Sequence, residues 1–345
     1  MKIGKIDRET FSSVILQKLG KEDGHVLVPP RPGIDAGVID IGNDRVLIVA
    51  EDPIFAIPGQ PLEMFGWYTV HIGASDVAVM GVRPQYMTYS LLMPPDFSRD
   101  ELITVVDSID RAARDLGIAI VGGHTGHYPG FAAPTIGGIT VFATARRDEY
   151  VTPAGAQPGD AVLLTKGPAI ETAGILSVLR ESELKAGYPG HLVKRAQDLV
   201  RQMTVVEDAR IAMAAGGVTA MHDATEGGVL GGLCEIAEAS GVGMDIEEEL
   251  FIYPDEVRMV CEHFGIDPLA AIAEGSLLIT AAQDRCGKIL TDLGDAGIAA
   301  SVIGTVTGDP RHRQIIRCDG RTTDLVMPDQ DPFWPVFFES LSGST

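Results

Sequence analysis

The chain has 345 residues, 45% of them hydrophobic, so it is long enough for roughly two domains and too large for a single small binding module. Its 27 Lys and Arg residues face 48 Asp and Glu residues, a formal charge of -21. A field of this sign repels nucleic-acid phosphates and anionic lipid headgroups, so we expect neither partner, and an anionic substrate would need a divalent cation held by carboxylates.

The N-terminal half predicts a mixture of helices and strands. Residues 9–19 have apolar positions near helical spacing and predict a short helix. Two alternating segments around Gly42-Asn43-Asp44 predict a hairpin whose second strand ends at Glu51-Asp52-Pro53. The pattern then predicts a helix ending near Gly81, a strand over 86–94, an amphipathic helix over 100–117, and strands over 118–123 and 135–145.

Proline and glycine cluster in residues 146–160, between two strand patterns, and predict a domain boundary there. We therefore expect an N-terminal domain over residues 1–155 and a C-terminal domain over residues 156–345. The second half begins with a strand pattern, continues through helices over 170–215 and returns to an α/β rhythm. The expected fold class is α+β, with an α/β second half.

The sequence favours a cytoplasmic protein. Its N-terminus lacks the layout of a signal peptide, and no stretch of ~18 apolar residues is present. The four cysteines are scattered without a C-x-x-C pair, as expected of reduced thiols rather than of a zinc site or a disulfide framework. They are Cys234, Cys261, Cys286 and Cys318.

Four aspartates stand beside glycine or at the boundary of a predicted element. The P-loop signature and the G-x-G-x-x-G signature are both missing, which disfavours the common nucleotide-binding folds. Clusters of carboxylates with oxygen-only ligands suit Mg²⁺, with phosphate and water completing its shell. Each aspartate taken alone is more often a cap or a turn residue. The candidates for metal binding are Asp35, Asp52, Asp76 and Asp223.

The segment HDATEGGVLGGLCEIAEA is open to two interpretations. Asp223 or Thr225 can cap a helix whose first turn exposes backbone N–H groups, and Gly227 and Gly228 would let a phosphate approach that backbone. Alternatively, the segment is a capped helix that uses its glycines for tight packing.

A third candidate stretch, IVGGHTGHYPG, contains His124 and His127. We expect these histidines in a loop, with no third soft ligand nearby, so a transition-metal site is disfavoured. The paired glycines Gly122 and Gly123 instead favour a tight loop beside a nucleotide or at its phosphates.

Taken in order, IDAGVID, EDP, ASDVAVMGVRP, VGGHT, MHDATEGGVLGGLCEIAEASGVG and IDPLAAIAEGSLLIT resemble the AIR synthase-related superfamily over nearly the whole chain. Its members include aminoimidazole ribonucleotide synthetase, selenophosphate synthetase, thiamine-monophosphate kinase and a hydrogenase expression/formation protein. The resemblance is greatest to the hydrogenase-maturation type, through MHDATEGG and AEGSLLIT.

This resemblance implies a two-domain fold, with an N-terminal sheet that forms a homodimer interface and a C-terminal α/β sandwich. It implies ATP and Mg²⁺ as cofactors and the phosphorylation of a substrate oxygen. Carried over by position, Asp35, Asp52 and Asp76 would be N-terminal metal or phosphate residues, with Asp223 opposite them. The ATP or phosphate residues would be Gly122, Gly123, His124, Thr125, Gly227 and Gly228.

Several positions depart from the relatives. The hydrogenase-maturation protein carries its substrate group on a terminal cysteine, whereas the last cysteine here is Cys318, well before the final residues. Glu226 stands where that type has an arginine, and His124 replaces an acid of the thiamine-phosphate kinase loop. Gly73 and Ser75 stand where relatives usually have asparagines. Selenophosphate synthetase would also need a reactive cysteine, or an equivalent residue, near the N-terminus.

The leading hypothesis is therefore a cytoplasmic, homodimeric, ATP- and Mg²⁺-dependent enzyme that phosphorylates a small-molecule acceptor or activates an oxygen through a phosphate intermediate. Phosphoryl transfer asks the protein mainly for alignment and charge neutralisation, which these aspartates can supply with a metal ion. The alternative is a nucleotide-binding accessory protein in hydrogenase or metallocenter maturation, with a maturation partner protein. A metal carrier using His124, His127 and cysteines ranks last. The catalytic base is not predicted.

Overall fold

The structure, a computed structural model, describes residues 4–342. Six strands of the first half form one sheet in the order β1-β2-β3-β6-β4-β5. They are β1 (Val26–Val28), β2 (Gly37–Gly42), β3 (Arg45–Phe55), β4 (Tyr86–Met93), β5 (Ala119–His127) and β6 (Thr135–Arg146). The predicted hairpin is confirmed, because Asn43 and Asp44 both take left-handed φ angles, of 53° and 58°, between β2 and β3.

Three helices accompany this sheet. They are α1 (Arg8–Thr10), which continues as a π-helical turn over Phe11–Ile15, α2 (Leu62–Ala78) and α3 (Arg99–Leu116). The predicted amphipathic helix is confirmed as α3, which a Ser98–Glu101 capping box opens and a left-handed Gly117 closes. Helix α2 is buried along most of its length, and a Cβ at Gly73 would lie 2.7 Å from the Ile139 side chain. The small residue thus lets α2 lie directly on the sheet.

Two strands are longer than the sequence predicted. Strand β3 continues past Asp52 to Phe55, because its pairing with β6 resumes after an irregularity between Asp52 and Ile54. Strand β5 continues through the stretch expected to be a loop, as far as His127, because it pairs in parallel with β4 along its whole length. Pairing with a neighbouring strand satisfies the backbone hydrogen-bonding groups of these segments. The segments are therefore strands although their glycine and proline residues favour turns.

The second half contains a seven-stranded sheet in the order β13-β12-β9-β11-β7-β10-β8. The strands are β7 (Ala161–Thr165), β8 (Val218–Asp223), β9 (Gly243–Glu247), β10 (Leu277–Ala281), β11 (Ala300–Thr307), β12 (Arg313–Ile316) and β13 (Thr322–Asp324). The helices are α4 (Ile170–Leu179), α5 (Glu181–Gly187), α6 (Gly190–Asp198), α7 (Val206–Ala215), α8 (Gly228–Ser240), α9 (Asp255–Phe264), α10 (Cys286–Asp295) and α11 (Phe333–Ser342). The α+β class with two sheets is confirmed.

The larger apolar core is continuous across the two halves. It includes Ile48 of β3, Tyr68 of α2, Leu163 of β7 and Ala212 of α7, all fully buried. A second core lies within the C-terminal half. The boundary at 155/156 falls in the connection between the two sheets and stays a prediction, because the larger core does not divide there. None of the helices within residues 4–342 is long and apolar enough to cross a membrane.

Candidate functional site: an acidic cluster between the two sheets

Carboxylates from both halves of the chain converge between the two sheets. Asp35 precedes β2, Asp52 lies in β3, Asp76 lies in the last turn of α2, and Asp223 ends β8. The charges of Asp52, Asp223 and Asp35 all act on the Asp76 carboxyl. The structure therefore brings together the four aspartates that the sequence singled out as metal candidates. With two further acids they form what we call the acidic cluster: Asp35, Asp52, Asp76, Asp223, Glu235 and Glu274.

Asp52 and Asp76 form a hydrogen-bonded carboxyl pair. Asp52 occupies an inward position of β3, in phase with the buried residues Val46, Ile48 and Ala50, and that face packs against α2. Burial raises the pKa of both groups, and the negative neighbours raise that of Asp76 further. Two carboxyls this close disfavour a second negative charge, and a bound cation removes that penalty.

His222 bridges two acids of the cluster. Its Nδ1 lies 2.9 Å from an Asp35 carboxylate oxygen and its Nε2 lies 2.7 Å from a Glu235 oxygen. Burial disfavours the imidazolium, but the two carboxylates outweigh it and raise the pKa of His222 well above its ordinary value. Both ring nitrogens face carboxylates, and this arrangement favours the imidazolium over the neutral ring. The sequence analysis missed it, although it directly precedes Asp223 at a strand end.

Asp223 is the most completely buried acid of the cluster, and its only ion-pair contact among the described residues is a long one, 3.8 Å from Oδ1 to His222 Nδ1. Its side chain is 1% exposed, and neither carboxylate oxygen has a hydrogen-bond partner among the described residues. Burial, followed by the charge of Asp35, raises its pKa to about 6. One possible ligand atom each from Asp35, His222 and Asp223 lies within 4.8 Å of the others, and the carboxylates of Asp35 and Asp223 offer oxygen ligands for a metal ion.

These donors fit a hard divalent cation. Buried oxygens without partners are costly unless a ligand satisfies them, and Mg²⁺ prefers one or two carboxylates with phosphate and water. The residues that would hold such an ion are Asp35, Asp52, Asp76 and Asp223, and their metal role remains a prediction.

A second buried acid pair adjoins Asp223. Strand β10 runs antiparallel beside β8 with Leu277 opposite Asp223, so the turn that precedes β10 places Glu274 next to the cluster. The Glu274 backbone N–H donates to a Glu171 carboxylate oxygen at 2.9 Å, while Glu274 Oε1 has no partner within residues 4–342. Burial raises the pKa of Glu274 well above its usual range and that of Glu171 to about 8. Glu274 was not predicted as a site residue, although it lies in the AEGSLLIT stretch that contributes to the family resemblance.

Lys5, near the N-terminus, reaches the same site. Its Nζ donates to Thr225 Oγ1 at 2.9 Å, and its backbone N–H lies 2.9 Å from both carboxylate oxygens of Glu226. The residue as a whole is exposed, although surrounding protein desolvates its ammonium. Desolvation opposes the charge, yet Glu235, Asp223, Asp76 and Asp35 together raise the pKa of Lys5. The sequence analysis did not identify Lys5.

The glycine-rich turn before α8 is used for packing in this structure. The Gly227 N–H donates to Asp331 Oδ2 at 2.8 Å, and the Gly228 N–H donates to the Thr225 carbonyl at 2.9 Å. Gly228 has a φ of +60°, and a Cβ there would lie 2.6 Å from the Ala271 carbonyl oxygen. These contacts support the packing interpretation of both glycines. Their contact with phosphate stays a prediction, and it requires Gly227 to exchange its partner.

The predicted nucleotide loop at Gly122, Gly123, His124 and Thr125 is part of the exposed edge strand β5, and the loop assignment was wrong. A Cβ at Gly123, whose φ is +144°, would lie 2.2 Å from the Tyr89 carbonyl oxygen, so glycine allows the close approach to β4. His124 Nε2 lies 2.6 Å from the Tyr128 hydroxyl, and His127 Nδ1 lies 3.0 Å from the Pro94 carbonyl. Three residues apart on a strand, the two histidines point to opposite faces and do not form a metal pair.

Comparison with known proteins gives matches over most of the chain. The family described as AIR synthase related protein, N-terminal domain, matches residues 33–154, and its C-terminal domain matches residues 157–317. The carbamoyl dehydratase HypE of Cupriavidus necator is 32% identical over 82% of this chain and 79% of its own length. A putative hydrogenase expression/formation protein of Methanocaldococcus jannaschii is 28% identical over 95% and 96%.

Solved structures show the same fold. A hydrogenase maturation protein HypE in complex with ATP aligns with a TM-score of 0.69 and 22% identity, covering 94% of this chain and 93% of its own. AaThiL complexed with AMPPCP and TMP aligns with a TM-score of 0.72 and 20% identity, covering 95% and 99%. A chain of the HypE–HypF complex aligns with a TM-score of 0.73 and 22% identity, covering 92% and 99%. With both family domains matched in order and a 32% identical relative covered over most of its length, this chain belongs to the AIR synthase-related protein family.

Proposed function

We propose that the protein is an ATP- and Mg²⁺-dependent enzyme that phosphorylates an oxygen of a small-molecule acceptor, either as the product or as an activated intermediate. The observation that carries the proposal is the buried Asp223 carboxylate beside the Asp52–Asp76 pair and Asp35. Neither of its oxygens accepts a hydrogen bond in the described part of the chain. Such a site needs a cation, and a cation held by four acids in turn binds a polyphosphate.

Bound Mg²⁺ would neutralise phosphate oxygens and align the transferred group. The chain's own residues have separate tasks. Asp35, Asp52, Asp76 and Asp223 supply carboxylate oxygens, while His222 holds Asp35 and Glu235 in place through its two ring nitrogens. Fixed charges of this kind need no rearrangement when the ligand arrives, which is the main protein contribution in phosphoryl transfer.

Two solved relatives support the choice of nucleotide, because one is a HypE in complex with ATP and the other is a ThiL complexed with AMPPCP. The acceptor is proposed to be an alcohol or acid oxygen. The thiols of the described residues support this choice, because Cys234, Cys261 and Cys286 are buried and the exposed Cys318 lies between β12 and β13.

We further propose a homodimer formed through the first sheet. Strand β5 is an edge strand with exposed apolar residues, including Ile120 at 41% and Val121 at 56%. An exposed apolar edge of this length is a liability in a monomer and is normally covered. A second copy of the sheet would cover it and would also bring Gly122 to Thr125 into an interface.

The decisive experiment measures ADP release by the purified protein with ATP, Mg²⁺ and a panel of small alcohols and carboxylic acids, each tested singly. We expect turnover that requires both Mg²⁺ and one acceptor. An Asp223→Asn variant serves as the inactive comparison, and Asp107→Asn, on the exposed side of α3, serves as the matched control.

The second candidate function is that of a nucleotide-binding accessory protein in metallocenter maturation. The solved HypE–HypF complex favours it, because there a protein of this fold is bound to a second protein. Tight Mg·ATP binding without turnover on any acceptor would replace the enzyme proposal with this one. Absence of Mg·ATP binding in calorimetry would contradict both.

A further inference from the structure

We propose that Lys5 is a phosphate-binding residue, delivered to the site by an N-terminal strap (Gly4–Asp7) that docks on the Thr225–Glu226 turn. The inference deepens the proposed function and rests on it, because the anion is taken to be the metal-bound polyphosphate chain of ATP. The strap would thus bind the phosphates of ATP through the side chain of Lys5.

The docking of the strap is specific. Both carboxylate oxygens of Glu226 accept from the Lys5 backbone N–H at 2.9 Å, and the Lys5 ammonium donates to the Thr225 hydroxyl at 2.9 Å. Gly4 lies so close that a Cβ there would overlap the Glu226 carboxylate and come within 2.7 Å of Trp334 Nε1. Lys5 is thus held through its backbone N–H by Glu226 and through its ammonium by Thr225, which fixes the position of its side chain.

Thr225 uses only one of the three N–H donors of the Lys5 ammonium. Lys5 feels the charges of Glu235, Asp223, Asp76 and Asp35, yet among residues 4–342 it is in no ion pair within 4.0 Å. An ammonium has three N–H donors, and only the one to Thr225 Oγ1 is assigned to a side chain. Thr225, which holds the ammonium, follows Asp223 of the acidic cluster by two residues, so the two remaining N–H donors can contact an anion placed on cluster-bound metal.

The balance of charge also favours an anion at this point. His222 is already committed to Asp35 and Glu235 through both ring nitrogens. The oxygens of Asp223 accept no hydrogen bond within the described residues and suit a metal ion, and once a metal ion binds them the local need for Lys5 as a counter-ion falls. The Lys5 ammonium, still docked beside the metal, can then donate its N–H groups to phosphate oxygens. Lysine binds phosphate in this way as a point charge.

The competing interpretation is that Lys5 is merely a counter-ion that stands in for the metal. The two predict opposite results. A counter-ion competes with the metal, so its removal strengthens ligand binding; a phosphate donor cooperates with the metal, so its removal weakens polyphosphate binding while leaving binding of the metal alone undiminished.

The test uses calorimetry with the full chain and three ligands: Mn²⁺ alone, inorganic tripolyphosphate with Mg²⁺, and ATP with Mg²⁺. Lys5→Met should weaken both polyphosphate complexes about 10- to 100-fold, since charge-assisted hydrogen bonds are worth roughly 1.5–3 kcal/mol. Lys5→Arg should recover part of this loss. Lys18→Met, at an exposed position downstream in the same N-terminal region, should bind as the wild type does. Mn²⁺ affinity should not fall in Lys5→Met.

A second measurement reports the strap directly. Tripolyphosphate with Mg²⁺ should slow trypsin cleavage after Lys5 in the wild type, followed by mass spectrometry, and Glu226→Gln should be cleaved faster because its dock is weakened. Unchanged or tighter tripolyphosphate binding by Lys5→Met overturns the inference, as does a wild type that binds no tripolyphosphate. Tripolyphosphate binding that depends on Lys5 without ATP binding would uphold the inference and contradict the choice of nucleotide. ATP binding that is unchanged in Lys5→Met would support ATP as the nucleotide and contradict the inference about Lys5.

Discussion

The acidic cluster and the edge strand β5 resemble each other in sequence, since both place polar residues beside glycine at the end of an apolar run. In the fold they are opposites. Asp223 is 1% exposed, and neither of its carboxylate oxygens accepts a hydrogen bond within residues 4–342. Strand β5 is exposed along most of its length, and His124 forms a hydrogen bond with Tyr128 on the surface.

This contrast shows which structural feature makes a polar residue a ligand-binding residue. In the cluster, like charges held together in a buried place create a strong demand for a cation. On β5 the glycines permit close strand contact, and the two histidines have partners at the surface, the Tyr128 hydroxyl and the Pro94 carbonyl. A glycine beside a polar residue is therefore weak evidence for a ligand site. The two regions differ because the cluster buries carboxylate oxygens that accept no hydrogen bond from the described residues, whereas the polar side chains of β5 are exposed.

The largest expected effect is on metal-dependent binding. Asp76→Asn removes a carboxylate from the centre of the cluster, and we expect the affinity for Mg·ATP to fall by at least about 100-fold, since a hard cation depends on each anionic ligand. The melting temperature without metal should stay the same or rise, because like-charge repulsion is relieved. Calorimetry and thermal melts measure both, with Asp107→Asn as control. Unchanged affinity would remove Asp76 from the metal site.

The next effect compares the two glycine sites. Gly228→Ala forces a Cβ to 2.6 Å from the Ala271 carbonyl oxygen at a φ of +60°, whereas Gly122→Ala meets only the Thr88 methyl at 3.4 Å. We expect Gly228→Ala to lower the free energy of unfolding by roughly 2–4 kcal/mol and Gly122→Ala to change it by less than about 0.5 kcal/mol. Urea denaturation measures both. Equal losses would show that the β5 glycines are as constrained as the turn.

A smaller effect concerns pH. The folded pKa values of Glu171, about 8, and Asp223, about 6, lie above their ordinary values, so the folded state binds more protons than the unfolded state. The stability they contribute is complete below about pH 4 and is lost as pH rises through these folded values. Between pH 6 and 8, where Glu171 dominates, the melting temperature of the metal-free protein should fall by on the order of 5 °C.

Glu171→Gln should flatten this decline, and saturating Mg²⁺ should reduce any part of it that arises from the cluster. Differential scanning calorimetry of wild type and variant at half-unit pH steps is the measurement. A melting temperature that rises from pH 6 to 8 in the metal-free wild type would contradict the raised pKa of Glu171.

The smallest effect is expected on β5. His124→Ala removes one exposed hydrogen bond to Tyr128, so the free energy of unfolding should change by no more than about 1 kcal/mol. Its affinity for Mg·ATP should fall less than tenfold, far less than that of Asp76→Asn. A loss as large as that of Asp76→Asn would place His124 in the nucleotide site after all and would erase the contrast between the two regions.

Local signals predicted the elements they govern. The left-handed Asn43 and Asp44 formed the expected hairpin, and Ser98, Glu101 and Gly117 fixed both ends of α3. The extent of β5 could not be predicted in this way, because its residues up to His127 are strand only through pairing with β4, a segment distant in sequence. The packing role of Gly228 likewise depends on the neighbouring Ala271 backbone.

By itself, the sequence determined the acidic balance, the order of the motifs and, through them, the family, because these are properties of composition and of residue order. Only the tertiary structure decided which charges meet. The convergence of Asp35, Asp52, Asp76 and Asp223 follows from packing α2 between the sheets, and Glu274 joins them because β10 runs beside β8. Lys5 reaches Thr225 and Glu226 across more than two hundred positions of chain, a contact that no local pattern encodes.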